Sequence, residues 1–344
     1  MEALSWGKKR GTPLKTALTE DAGITVPIIC GPMYPCSNPE LVAAASEAGG
    51  LGVLQPISLT YVHGYEFRSG IKKIRSLTDR PIGMNALIEQ SSKTYQRQME
   101  QWIDIALEEG VRFFVTSLGK PDWVVRKVET VQGRVYHDVT ERKWAQKGID
   151  SGVHGLIAVN TQAGGHSGHL DARALLDDVC DLGLPVVCAG GIGTEHEFAD
   201  SLRLGYAGVQ MGTRFIATDE CTASPEYKQA IVDAHEKNIV HSERLTGIPV
   251  AVIDTPFIRS LGLRAGPVAR WMLRGRRTKH WMRMIYALRS LRQLKRSLRS
   301  AGATGDYWQA GRSVAGIRSI EPVASILDRF ANRLRSPSDT DSTE

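Results

Sequence analysis

The stretch LPVVCAGGIGTEHEFADSLRLGYAGVQMGTRF, residues 184–215, decides the fold. It contains two short apolar runs, LPVVCAG (184–190) and YAGVQMGT (206–213), and both end in glycines. Six similar runs precede them: VPIICGPM (26–33), GGLGVLQ (49–55), PIGMNAL (81–87), VRFFVTSL (111–118), RVYHDVT (134–140) and HGLIAVN (154–160). All are rich in Val, Ile and Leu and largely continuous, as expected of parallel strands covered on both faces. Amphipathic stretches separate them. In NPELVAAASEAG (38–49), Leu41, Ala44, Ala45 and Ala48 share one helical face; in TYQRQMEQWIDIALEEG (94–110), Met99, Trp102, Ile103 and Ala106 do. Each ends on a glycine, as a helix C-terminus would. Eight strand-and-helix units predict a (β/α)₈ TIM barrel, an α/β fold. A doubly wound open sheet is the alternative, because periodicity does not distinguish closure.

A chain of 344 residues with 42% hydrophobic content can bury a large core, and single barrels often exceed 250 residues. No run of 18 apolar residues is present, and the first 20 residues lack a signal-peptide core, so a cytoplasmic protein is expected. The five cysteines include no CxxC pair, which points away from a disulfide framework or a zinc site. The net charge of +6 is local. Thirteen Lys or Arg and no acid lie between Thr255 and Gly305, leaving 30 basic against 37 acidic residues elsewhere.

Barrel chemistry sits on the loops that follow the strands. Ala189-Gly190-Gly191-Ile192-Gly193 follows the seventh run, and Gln210-Met211-Gly212-Thr213 closes the eighth. Glycines let backbone N–H groups approach a phosphate, and a threonine hydroxyl adds a donor. Tight turns alone would explain one such cluster; two at consecutive late strands favour phosphate. AGGIGT does not match the GxGxxG register of a dinucleotide fold. After the sixth run comes Gln162-Ala163-Gly164-Gly165-His166-Ser167-Gly168-His169. The small residues let the backbone approach a flat ring, and His166 can move a proton beside it. His137 is a rival base, although it and Asp138 must point to opposite faces and lining the pocket suits it better. Asn85 ends the third run with an amide that can both donate and accept. Met33 ends the first, where its backbone could face the ring.

These motifs, taken in order with GPMYPCSNPELVAAASEAGGLGVLQ, resemble the nitronate monooxygenase family over about residues 25–220, with an echo in YWQAGRSVAGI (307–317). The resemblance implies an FMN cofactor, with contacts from Asn85, Gly164, Gly191, Gln210, Met211, Gly212 and Thr213; Met33, Gly165 and Gly190 join them from the residue reading. It makes His166 the active-site base that takes an α-proton from a nitroalkane or holds the nitronate. Four positions depart from the family pattern. Val159 stands where many members have glutamine, so that contact is either missing or supplied by Asn160 or Gln162. Gln162 itself replaces an acidic residue, and Tyr34-Pro35 makes one wall bulkier. The implied reaction converts alkyl nitronates and dioxygen to a carbonyl compound and nitrite. An NAD(P)H-dependent reductase of enoyl thioesters or quinones is the alternative on this scaffold.

Residues 20–220 with 305–335 are expected to form the FMN-binding barrel, and the polar tail 336–344 to be disordered. Residues 221–304 read as an inserted helical, basic segment covering the active-site face. Within it, 224–240 read as a helix and 242–257 as a loop or short strand. In 266–300, Trp281, Ile285, Leu288 and Leu291 share a helical stripe with arginines mostly off it, and contact with a membrane surface is the rival use. No nucleic-acid module is recognisable.

Overall fold

A computed structural model describes residues 14–89, 92–245, 247–264 and 308–335. The expected cover over 266–300 and the tail over 336–344 lie outside the described residues.

Eight parallel strands form the centre: β1 (Ile28–Cys30), β2 (Leu51–Leu54), β3 (Ile82–Ile88), β4 (Phe113–Leu118), β5 (Arg134–Val139), β6 (Gly155–Val159), β7 (Val186–Ala189) and β8 (Gly208–Met211). Each lies in one of the apolar runs, β3 reaching one residue past its run. They pair in chain order, and β1 pairs with β8 through Ile28↔Val209, Ile29↔Gln210 and Cys30↔Met211. That last pairing closes the barrel and eliminates the open sheet.

Helix α1 (Ala17–Ala22) precedes the barrel, and α2 (Pro39–Glu47), α3 (Phe67–Arg75), α4 (Lys93–Glu108), α5 (Asp122–Glu129), α6 (Arg142–Ile149), α7 (Ala172–Val179) and α8 (Glu195–Leu204) alternate with the strands. Local chemistry sets their ends. Pro39 opens α2, Ser92 Oγ accepts from Tyr95 N to cap α4, and Gly49 and Gly110, at φ +95° and +81°, follow the two helices. A reciprocal Thr194–Glu197 capping box starts α8, and Glu197 Oε2 also accepts from Gly193 N at 2.7 Å. It thereby fixes the glycine turn after β7.

Alternation along the strands sorts the interior. Ile29, Leu51, Val53, Phe113, Val115, Tyr136, Ile157 and Val187 fill the barrel, and Leu18 of α1 packs with them. Where the strands end, the interior positions become polar or small, which opens a cavity rather than extending the core.

After β8 the chain continues through α9 (Thr213–Ile216), α10 (Pro225–Asp233), β9 (Ile239–Ser242), β10 (Val250–Ile253) and α11 (Pro256–Leu261). The helix expected over 224–240 therefore stops at Asp233. His235 N donates to Asn238 Oδ1 at 2.8 Å in a short 3₁₀ turn, and the chain then enters β9. The β-branched VAVI of β10 is wholly buried and pairs antiparallel with β9. The chain returns at 308–335 with a 3₁₀ turn, Arg312–Gly316, and α12 (Val323–Arg335). Helix α12 packs on α2 and α8, with Phe330 5.6 Å from Phe198 between ring centroids. Arg214, 1% exposed, donates at 2.7 Å to the carbonyls of Ala217 and Ser319, and so ties the end of β8 to the return segment.

Candidate active site

The C-terminal ends of the strands surround a cavity of about 880 Å³. The expected base and the ten expected cofactor contacts all line it: Met33, Asn85, Gly164, Gly165, His166, Gly190, Gly191, Gln210, Met211, Gly212 and Thr213. They come from β1, β3, β6, β7 and β8, which only a closed barrel brings to one mouth.

The two glycine turns differ in kind. Gly190 and Gly191 have φ of +116° and +83°. A Cβ on Gly190 would lie 2.5 Å from Ala163 N, so this turn is packed directly against the loop after β6. Gly212 has an ordinary negative φ, and a Cβ there would meet nothing closer than Met33 Sδ at 3.4 Å. Its missing side chain leaves room in the cavity wall, not relief from strain. Thr213 Oγ1 accepts from Gly311 N at 3.0 Å, which leaves the hydroxyl proton free to donate. This side of the mouth could hold a phosphate.

Asn85 is buried, and its Nδ2 donates to Val115 O at 3.2 Å, leaving Oδ1 and a second N–H. Gln210 Oε1 is buried without a hydrogen-bond partner, an acceptor facing a missing donor. Met33 lines the cavity differently from expectation. Its backbone N–H is taken by Ser37 Oγ at 2.8 Å, and its side chain is what approaches Gly212.

The loop after β6 is braced on three sides. Asn160 Nδ2 donates to Gly190 O at 3.0 Å, and Asn160 Oδ1 accepts from Gln162 N at 2.8 Å. Asn160 is thus committed to the fold, whereas Gln162 lines the cavity beside Val159. On the outer side Gly165 bridges Ala251 of β10, whose N–H donates to Gly165 O at 2.8 Å. On the third, Gly311 packs so closely that a Cβ on Gly164 would lie 2.8 Å from its nitrogen. His166 projects from this frame, reaching solvent through the mouth. The surrounding walls still desolvate its cation and lower its pKa below the usual histidine value. The ring is therefore neutral at pH 7, in the form a base requires.

His137 borders the cavity, but its ring lies towards α6, with Cδ2 3.3 Å from where a Cβ on Gly148 would sit. Thr116 Oγ1 contacts its Nδ1 at 2.9 Å, and burial pushes its pKa down to about 4. The interior residue of this pair is Asp138, which sequence reasoning passed over. Gln309, Ser313 and Tyr227 also line the cavity and were not anticipated, since their segments reach it only through tertiary packing.

The sequence model of the nitronate monooxygenase family matches residues 15–331, nearly the whole chain. This chain belongs to the nitronate monooxygenase family. Like its relatives it is an oxidoreductase built on a TIM barrel. A probable nitronate monooxygenase of Staphylococcus saprophyticus is 29% identical over 290 residues, covering 72% of this chain and 81% of that one. The (3aS,4S,5R,7aS)-5-hydroxy-7a-methyl-1-oxo-octahydro-1H-indene-4-carboxyl-CoA dehydrogenase of Rhodococcus jostii is 32% identical over 249 residues, covering 72% and 68%. Among solved structures, FabK from Thermotoga maritima superposes with a TM-score of 0.75 at 28% identity, covering 94% of this chain and 96% of its own. No helix among the described residues is long and apolar enough to cross a membrane.

Proposed function

We propose that this family member binds FMN and oxidises alkyl nitronates with dioxygen to a carbonyl compound and nitrite. One observation carries the reading: the His166 loop and both glycine turns converge on a single cavity. Gly190, Gly191, Gly212 and Thr213 would hold the FMN phosphate, and Asn85 and the unpartnered Gln210 Oε1 would meet the polar edge of its ring. When bound, FMN supplies the redox chemistry. The chain's own part is proton handling and placement. Neutral His166 takes the proton from the carbon beside a nitro group, and the resulting imidazolium stands next to the nitronate anion. The braced loop around His166 holds the imidazole in place while this happens.

The accompanying domain reading keeps 20–220 with 305–335 as the barrel and 221–304 as an insert. The β9–β10 hairpin, within that insert, supports it by reaching back to the His166 loop.

A thioester oxidoreductase using NAD(P)H is the second reading. It is favoured by the Rhodococcus relative and by three exposed apolar side chains on the cavity lining, Leu118, Trp144 and Ile248. Anaerobic mixing separates the two. Flavin bleaching by a preformed nitronate without pyridine nucleotide is the expected result. Bleaching by NADH or NADPH, with nitronate inert, would overturn the leading reading in favour of the second.

A further inference from the structure

Asp138 is the one carboxyl among the described residues that line the cavity. It follows Tyr136 by two positions on β5, and Tyr136 fills the barrel interior, so Asp138 lies above it on the inward side. Its Oδ1 is buried and has no hydrogen-bond partner. The titratable groups sharing the cavity are Tyr34 from the loop after β1, His137 on the same strand, His166 from the loop after β6, and Tyr227 on α10. From β4 the lining residues are Ser117 and Leu118, from β6 Val159, and from α6 Trp144. Lys143 and Lys147 of α6 sit over the Trp144 ring, 5.1 and 4.4 Å from its centroid, and do not line the cavity.

A half-buried carboxylate with one oxygen sealed off and unpaired is disfavoured there, because it loses part of its hydration without gaining a counter-ion. No partner within the described fold accounts for it, whereas Asp21, by contrast, is engaged by Arg134 and Tyr136. Position supplies the rest. Strand β5 neighbours β6, which leads into the His166 loop, and lies across the barrel from the β8–β1 seam beside Gly212. Asp138 therefore lies on the side of the cavity nearest the His166 loop, across the mouth from Gly212.

We propose that Asp138 is a substrate-binding residue whose protonated carboxyl donates a hydrogen bond to an oxygen of the bound substrate and whose ionised form repels anionic substrates. Only the identity of that oxygen, as a nitro or nitronate oxygen, rests on the reaction proposed above. Burial alone pushes the Asp138 pKa up to about 7, so the donor form dominates in mildly acidic solution and the charge appears above neutrality. His166 ionises on the other side, below the usual histidine value, and so does not produce the same limb.

The test uses the flavin-loaded protein and two probes. Nitrate, a planar oxyanion that cannot turn over, is titrated by the change in flavin absorbance from pH 5.5 to 9, and the KM for a preformed alkyl nitronate is measured by oxygen uptake over the same range. For the wild type, both constants should rise above neutrality by up to about tenfold per pH unit, the limit for one ionising group. Asp138→Asn, which still donates but never ionises, should give flat profiles. Asp138→Ala should bind both probes more weakly at every pH, also without a limb. A limb that persists in Asp138→Asn, or a flat wild-type nitrate profile, would overturn the proposal even if nitronates are oxidised. The expected nitrate profiles with inert nitronate would instead uphold Asp138 and overturn the reaction.

Discussion

At the scale of single residues, the cavity walls shift His166 and Asp138 in opposite directions. Desolvation lowers the histidine pKa and raises that of the carboxyl, so in mildly acidic solution below pH 7 the proposed base and the proposed donor can both be mostly uncharged. His166→Ala should retain flavin yet lose roughly 10²–10⁴-fold in turnover of neutral nitroalkanes, the usual contribution of a general base. Stopped-flow flavin reduction measures it, and preformed nitronates, which need no deprotonation, should suffer less. Because the His166 pKa is lowered, the decline in wild-type kcat/KM on neutral nitroalkanes that comes from His166 protonation should lie on the acid side of the ordinary histidine value. Asp138 also has a stability consequence. Its folded pKa lies above the unfolded one, so its stabilisation is full below pH 4 and is lost as pH rises through about 7. Asp138→Asn should therefore have a higher Tm than the wild type at pH 8, with the gap closing as pH falls towards 4. His166 was legible in the sequence because its glycine neighbours are contiguous with it. Asp138 was not, because the run RVYHDVT does not reveal which of two adjacent polar residues faces the barrel axis. Only the register of β5 between β4 and β6 decides that.

At the scale of elements, the strands were legible because a parallel barrel needs continuous apolar runs, and all eight runs form strands. The segment beyond β8 was not, because its pattern depends on docking rather than on periodicity. The hairpin of β9 and β10 and the 3₁₀ turn at Arg312–Gly316 are held by the His166 loop, by Thr213 and by each other. The glycine turns were legible as motifs, but their two roles were not distinguishable without coordinates. Gly212→Val should fold, since the nearest atom to its Cβ is the flexible end of Met33, yet the added bulk should displace FMN and yield colourless protein. Gly190→Ala should do the reverse of a clean block. Its positive φ and backbone collision with Ala163 should destabilise the fold itself, by about 1–3 kcal/mol for the strained conformation alone. Flavin content per folded protein and urea unfolding, measured on both variants, separate the two roles. Equal stability losses would show that the Gly212 site is also structural.

At the scale of the whole molecule, the chain leaves the barrel at β8 and comes back at 308–335, and two contacts secure that return in different ways. Phe330 of α12 packs on Phe198 at the outer surface of the barrel, remote from the cavity lining. Arg214 sits next to Thr213 and binds the Ser319 carbonyl, so it holds the return segment against the cavity, where Gly311 meets Thr213 and where Gln309 and Ser313 form part of the wall. Phe330→Ala should cost about 3–5 kcal/mol, as for other buried phenylalanines. Arg214→Ala should cost a comparable amount, since it strands the Ala217 and Ser319 carbonyls that the guanidinium now satisfies. Ligand binding distinguishes them. FMN at a hundred times its Kd stabilises a folded protein by about 2.7 kcal/mol whatever that protein's intrinsic stability, provided the site is intact. Thermal unfolding of the FMN-free proteins, repeated with a fixed excess of FMN, should therefore give Phe330→Ala a lower Tm but a stabilisation by FMN equal to that of the wild type. Arg214→Ala should combine a lower Tm with a smaller stabilisation, because the wall that carries Gly311 and Ser313 is no longer fixed beside Thr213. An undiminished FMN effect in Arg214→Ala would mean that the cavity wall holds its shape without the clasp, and that the return segment serves stability alone.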